Sequence, residues 1–367
     1  MKKRILSALL TFCMVLTLLP VSALAAETEP APGDVAYVAE LAQVSGADVY
    51  YTSLDTAIQA VSDNSLTSAT IELLADATSD GMDIRNITLT IQGKEGTKPT
   101  VTFAKEGIHA VNSQITFKDC TVDMDVSENP SRNGGTANLI DDSDLTFINT
   151  DVSIVNDKAD DWGESAIYLY QGSNLYIQDG SHMTISGFNN TNQDSGIFAD
   201  GSERDDNLPH FQIVVSGTST LEISECGWGG MTVNPCDITV SDQSKLTITD
   251  CGDNGGKQGL GCYYGKMTIQ GGSTVNVSEN LGSDWGIFVK DLEVDKTSTL
   301  IANNNAGTSD GIDIGGTAVI QSGATVEASG NADAGLRIYK SGSWVGDVTI
   351  ESGANVTMNG NNAAGIS

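Results

Sequence analysis

The chain has 367 residues, of which 48 are acidic and 18 basic, giving a formal net charge of -30. So acidic a chain excludes nucleic acid, anionic membranes and polyanionic substrates as partners unless a cation mediates. Hydrophobic residues at 39% exclude wholesale disorder, and 40 glycines point to a fold with many tight corners.

Met1 to Ala25 reads as a secretory signal. Lys2, Lys3 and Arg4 form its positive end, Ile5 to Leu19 its apolar run, and Ala23-Leu24-Ala25 a small-x-small cleavage pattern. Cleavage is expected near Ala25, leaving 15 bases against 48 acids, a net charge of -33. No later segment is apolar enough to span a membrane, so the mature chain is expected to be secreted or at the cell surface. It keeps five cysteines, Cys120, Cys226, Cys236, Cys251 and Cys262, an odd and sparse set unlike a disulfide framework or a zinc site.

Residues 26–33, with Pro30 and Pro32, read as a flexible leader, and 34–68 as an N-terminal cap. Within the cap, Thr52-Ser53 precedes Leu54, Ala57, Ile58 and Val61, a helical stripe with a polar start signal. A strand-like Thr70-Ile71-Glu72-Leu73-Leu74 follows.

From there a repeat governs the chain. One piece is Gly-Ile or a relative of it, at Gly107, Gly196, Gly286, Gly311, Gly335 and Gly365, with weaker forms at Ala166, Gly230 and Gly259. A second piece is an apolar-x-apolar pair, from Ile115/Phe117 and Leu145/Phe147 to Val348/Ile350. A third runs from Val122/Met124 to Val356/Met358, six residues after the second in most coils. Each piece alternates apolar and polar, the signature of a strand buried on one face. Three such strands per coil of about 25–30 residues stack only if each pairs in parallel with its equivalent one coil later. The expected fold is all-β, a right-handed parallel β-helix over 69–367 under a helical cap. Gly365-Ile366 begins a further rung, so the solenoid is expected to continue beyond the last residue.

These repeats resemble the pectate-lyase-like superfamily of parallel β-helices. The stretch Tyr51, Ser53-Leu54, Ala57-Ile58, Ile71, Leu73-Leu74 and Asp76 is similar to the opening of secreted β-helix proteins of Gram-positive bacteria. The resemblance implies the fold, and two enzymatic possibilities, a polysaccharide lyase or a glycoside hydrolase. Lyases of this fold use Arg or Lys beside acid-held calcium, but Arg85, Arg132, Arg204 and Arg337 sit in no evident acid-rich cluster with a second base. Polygalacturonases are echoed by Asn149-Thr150-Asp151 with Asp160-Asp161, without their Gly-His-Gly; the nearest histidine is His182. With three histidines in all, general-base constellations are thin.

The column after strand three holds Phe188, Cys226, Cys251, Asn280, Asn305, Asn331 and Asn361, expected to stack inward, with Cys226 and Cys251 reduced. Calcium has possible hard ligands in Asp141-Asp142, Asp160-Asp161 and Asp205-Asp206, though in no spaced loop motif. Strands two and three turn bland threonine-rich rows outward. Strand one instead presents His109, Tyr168, Phe198, Thr232, Phe288, Asp313 and Arg337. Trp162, Trp228 and Trp285 fall just before it in coils two apart, so their indoles are expected every ~10 Å along one edge. Asp161, Asp194, Asp284 and Asp310 share that edge. The expected function is a non-catalytic, adhesin-like surface protein whose strand-one face, with Asp313, binds a glycan or a protein. No cofactor is required. The enzymatic alternatives and a structural spacer stay open.

Overall fold

The computed structural model describes residues 37, 39–42, 48–127, 136–156, 165–189, 195–200, 210–252, 256–307, 310–340 and 345–367. Three parallel ladders run along it. Strand three forms an 11-stranded ladder from Ala77–Ser79 to Asn355–Thr357. Strands one and two form the other two faces, each strand pairing in parallel with its equivalent one coil on, as in Leu145 opposite Ile115 and Leu175. The chain is a parallel β-helix. Rungs precede Gly107 as well, with Ile71 and Leu73 opposite Ile91 and Gly93 on the adjacent rung.

Apolar residues of the three ladders meet in one core, where Phe117 and Phe147 stack with centroids 5.6 Å apart. Corners are turned by residues in the left-handed region, among them Asn112, Asp142, Asp119 and Asn149. Asn and Asp tolerate that backbone better than other side chains with a Cβ. Two polar ladders stitch the coils from inside. Serine hydroxyls at successive corners accept from the preceding coil's backbone, as in Ser219 N–H to Ser244 Oγ at 3.1 Å and Ser244 N–H to Ser273 Oγ at 3.2 Å. Asn280, Asn305, Asn331 and Asn361 form the second, each Nδ2 donating to the next Oδ1 at 3.1, 3.1 and 3.2 Å. This ladder explains the repeated glycine. A Cβ on Gly286 would lie 2.4 Å from Asn305 Nδ2, and one on Gly311 2.5 Å from Asn331 Nδ2.

Cys226 and Cys251 occupy the same column. All five cysteines are free and buried, and the Cys226 and Cys251 thiols donate to carbonyls two residues back. Burial raises the Cys120 thiol to about 11 and pushes Cys236 well above its ordinary value, so these sulfurs stay protonated.

The N-terminal end is covered by more than a helix. Strand β1 (Ala39–Ala42) pairs antiparallel with β2 (Asp48–Tyr51) on one side and β3 (Ser68–Leu73) on the other. It thereby occupies the backbone edge that the first rung would otherwise expose. Helix α1 (Leu54–Asp63) starts where Ser53 Oγ accepts from Thr56 N–H and buries Leu54, Ala57, Ile58 and Val61 over the core. No helix among the described residues is long and apolar enough to cross a membrane.

Candidate functional site: an acid pair under aromatic rings

The strand-one ladder sets the register of its outward row: Tyr168, Phe198, Thr232, Gly261, Phe288, Asp313 and Arg337 follow one another, one coil apart. A second row at the strand starts runs Ser195, Gly229, Gln258, Trp285 and Asp310. In two coils strands one and two merge, as Gln258–Ile269 and Trp285–Val294, and the register shifts between Cys262 and Lys266. A bulge re-aims the side chains it carries. Here it turns Tyr263 over the neighbouring rung, with its ring centroid 5.1 Å from Phe288 and 5.9 Å from Trp285. Trp285 and Phe288 are themselves 5.1 Å apart, and Tyr339 approaches Phe288 from two coils beyond, at 6.3 Å. Each such pair adds about 0.5–1.5 kcal/mol beyond its buried area.

Two carboxyls lie in the middle of these rings. Asp310, 1% exposed, accepts from Arg337 Nη1 at 3.0 Å and from Ala334 N–H at 2.9 Å. Asp313 has no exposure, and neither of its oxygens has a hydrogen-bond partner of good geometry, although Asp310, Arg337 and Trp285 all crowd it. Burial first, then the abutting Asp310 carboxylate, raises the Asp313 carboxyl to about 8; Arg337 opposes this without overcoming it. Asp313 therefore keeps its proton well above the pH at which an exposed aspartate loses it. On the bulge side, Tyr263 OH donates to Gln258 Oε1 at 2.6 Å, and Gln258 Nε2 donates to Thr232 Oγ1 at 2.9 Å. Gly261 leaves the room that buried Gln258 fills, since a Cβ there would meet its Nε2 at 2.7 Å. Burial raises the Tyr263 hydroxyl to about 12, with Asp284 adding to it.

Against the sequence-based expectations, several corrections follow. Phe288, 3% exposed, and Asp313 hold the outward register but are buried, because Trp285, Tyr263, Tyr339 and Arg337 close over them. Asp310 is a buried ion-pair partner, not an exposed acceptor. Trp285 belongs to a strand and is half-buried. Trp228 is two coils away but out of register, since Gly229 is the residue aligned with the Trp285 row, so the two indoles form no repeating edge. Trp228 instead lies under Lys257, whose Nζ is 5.5 Å from its ring. Asp284 is half-buried beside Trp285, and Tyr168 and Phe198 form a separate half-exposed patch with Tyr170. Asp161, Trp162 and Asp194, like Asp160, Asp205 and Asp206, lie outside the described residues. Gln258, Tyr263 and Tyr339 were not foreseen as site residues, and Arg337 was placed on the face without a role in it. The register alone places Arg337 beside Asp313; the bulge that recruits Tyr263 leaves no sequence signal of comparable strength.

Among the described residues no group of three or more acidic, histidine or cysteine side chains converges to hold a metal ion. A polar groove of about 410 Å³ lies away from the rings, at the corner after strand one, where Asn112 Nδ2 already donates to Asn86 Oδ1 at 2.7 Å. Its volume exceeds its chemical interest, because none of its lining side chains combines burial with an unmet bond as Asp313 does.

The fold and this face define a parallel β-helix protein with an acid–aromatic patch on one ladder. No protein-family model and no curated protein matches the chain. Among solved structures it is similar to the crystal structure of the periplasmic alginate epimerase AlgG, with 12% identity over 82% of this chain and 84% of that one, at a TM-score of 0.29. So low a score carries no argument about activity.

Proposed function

We propose that the chain is an exported or surface-displayed, adhesin-like β-helix protein whose strand-one face binds a saccharide chain. The observation that carries this reading is the gathering of aromatic side chains on one ladder. Tyr168, Tyr170, Phe198, Tyr263, Trp285 and Tyr339 are all half-buried there, while the outward row of strand two holds Tyr176 among threonines. Flat rings suit the apolar faces of sugars, and the carboxyls and Arg337 beside them suit hydroxyls. Export rests on the leader Met1 to Ala25, which lies outside the described residues.

The hydrolase alternative has the acid pair in its favour, since the Asp313 carboxyl holds its proton well above the usual carboxylate range beside a second carboxyl. Spacing counts against it. The carboxyls abut, whereas hydrolysis of a glycosidic bond needs them about 5–5.5 Å apart for retention or about 6.5–9.5 Å apart for inversion. A glycan array probed with the full chain, with and without calcium, tests the binding reading. Retention of at least one glycan, lost in Trp285→Ala with the fold intact by circular dichroism, supports it. An empty array, or binding untouched by Trp285→Ala, overturns it.

A further inference from the structure

We infer that the saccharide bound at this face carries an amino sugar, and that its ammonium group is taken up by the Asp310–Asp313 pair between the rings of Trp285 and Tyr339. The inference rests on the saccharide reading above and names the class of sugar.

Charge counting leads to it. Two neighbouring carboxyls share a single guanidinium, and Arg337 Nη1 donates to Asp310. Asp313 is left buried with both oxygens unpartnered, which is costly for a neutral group and far more so for an anion. Something must supply the missing positive charge. In the free protein a proton does so, as the raised Asp313 carboxyl shows. An incoming cation would do it better, because it also gains the faces of the surrounding rings.

Calcium fits poorly. It wants six to eight oxygen ligands, and the walls here are aromatic carbon with a guanidinium among them. A neutral sugar hydroxyl could donate to Asp313 but would leave the charge unbalanced. An ammonium on a sugar ring satisfies both demands at once. Access would require Arg337 to swing aside: it is a long chain, 43% exposed, stacked over Tyr339 with its guanidinium carbon 5.5 Å from the ring. The other charged groups nearby are Asp284 and Asp333, with Lys257 and Lys290 on the neighbouring corners. The chain's net charge of -30 steers cations toward it in general.

The test compares two β-1,4-linked hexamers by calorimetry at low salt: glucose, which is neutral, and 6-amino-6-deoxyglucose, whose primary ammonium stays protonated from pH 6 to 8 and keeps its N–H donors. The cationic hexamer is expected to bind at least tenfold more tightly at pH 8, and Asp313→Asn, close to isosteric, is expected to remove that preference. Its affinity for the parent protein is also expected to rise by up to tenfold per pH unit from 6 to 8, as it displaces the Asp313 proton, while the neutral hexamer shows no trend. This second readout needs no variant to fold. Equal binding of both hexamers, each lost in Trp285→Ala, overturns the amino-sugar assignment and leaves the saccharide face standing. A cationic preference that survives Asp313→Asn and has no pH trend reduces it to the general acidity of the chain. Binding of neither hexamer overturns it outright.

Discussion

Two stretches of the strand-one face are built on the same ladder and have opposite characters. Around Tyr168 and Phe198 the outward side chains are half-exposed rings packed edge to face with one another and with Tyr170, over an inner corner filled by Phe188 and Cys226. Around Trp285 and Asp313 the rings close over two carboxyls and a guanidinium, and the inner corner is the asparagine ladder. Both solve the packing problem of a β-helix. The second stretch, however, buries charge on the outside of the rod, where no core requires it. Coil stacking accounts for the first stretch but gives no reason for the second, and it is that contrast on which the proposed site rests.

The sharpest way to break this comparison is pH. An unfolded aspartate ionises near 3.8, whereas Asp313 holds its proton to about 8. Between those values the folded state binds the extra proton. The contribution of Asp313 to stability is therefore complete below pH 4, falls as pH rises toward 8 and levels off above it. The slope is on the order of 1 kcal/mol per pH unit, a few kcal/mol over the window. Denaturant midpoints at pH 5, 6, 7 and 8 check it, and Asp313→Asn should flatten the trend. A trend of unchanged slope in that variant would assign it to the self-repulsion of an acidic chain.

Next in size is the inner corner. Asn305→Ala strands the backbone N–H of Asn280 and takes the amide donor from the carbonyl of Val277, while Asn280 Nδ2 keeps the carbonyls of Ile248 and Ser278; it should cost about 3 kcal/mol by denaturant unfolding. Cys226→Ala, at the equivalent corner of the first stretch, removes one sulfur from an apolar column and should cost about 1 kcal/mol. Similar losses at the two corners would show that the amide ladder does no more than fill space.

Smaller again is the contrast between the rings. Trp285→Ala should cost about 2 kcal/mol and lower the apparent ionisation point of Asp313 by admitting water, while Tyr168→Ala should cost about 1 kcal/mol and leave it unchanged. Carboxyl chemical shifts followed by NMR titration separate them. The smallest effect is expected at the exposed Lys266–Glu293 pair, 2.6 Å apart beside the bulge. Lys266→Ala should change stability by no more than about 0.5 kcal/mol, and a larger loss would mean that the pair holds the bulge in place.

Most of the solenoid was legible before any coordinates. Period-2 alternation marks the inward residues, and the constant spacing from Ile177 to Met183 and from Ile320 to Val326 marks the stacking. The asparagine column was legible because a ladder repeats the same residue type coil after coil. The cap was half legible: the stripe Leu54, Ala57, Ile58 and Val61 announces a helix, but β1 pairs with β3 in a register that no local pattern records. The site was least legible. Trp285, Phe288, Asp310 and Asp313 could be placed on the right face, yet their burial could not, because exposure on an outward row depends on what the next coil lays over it.

What the amino-acid order determined by itself is everything that recurs: the inward apolar columns, the serine and asparagine ladders, and the glycines packed against them. Recurrence is a local property, since each coil meets only its neighbours. What only the tertiary structure decided is everything that happens once. The bulge between Cys262 and Lys266 swings Tyr263 over Phe288, Gln258 fills the space above Gly261, and Arg337 reaches Asp310 but leaves Asp313 without a partner. The contacts of Tyr263 with Phe288 and of Arg337 with Asp310 join residues one coil apart through side-chain directions that alternate with every residue. A one-residue shift of register would reverse them all, and register is a property of the stacked ladder, not of any one coil.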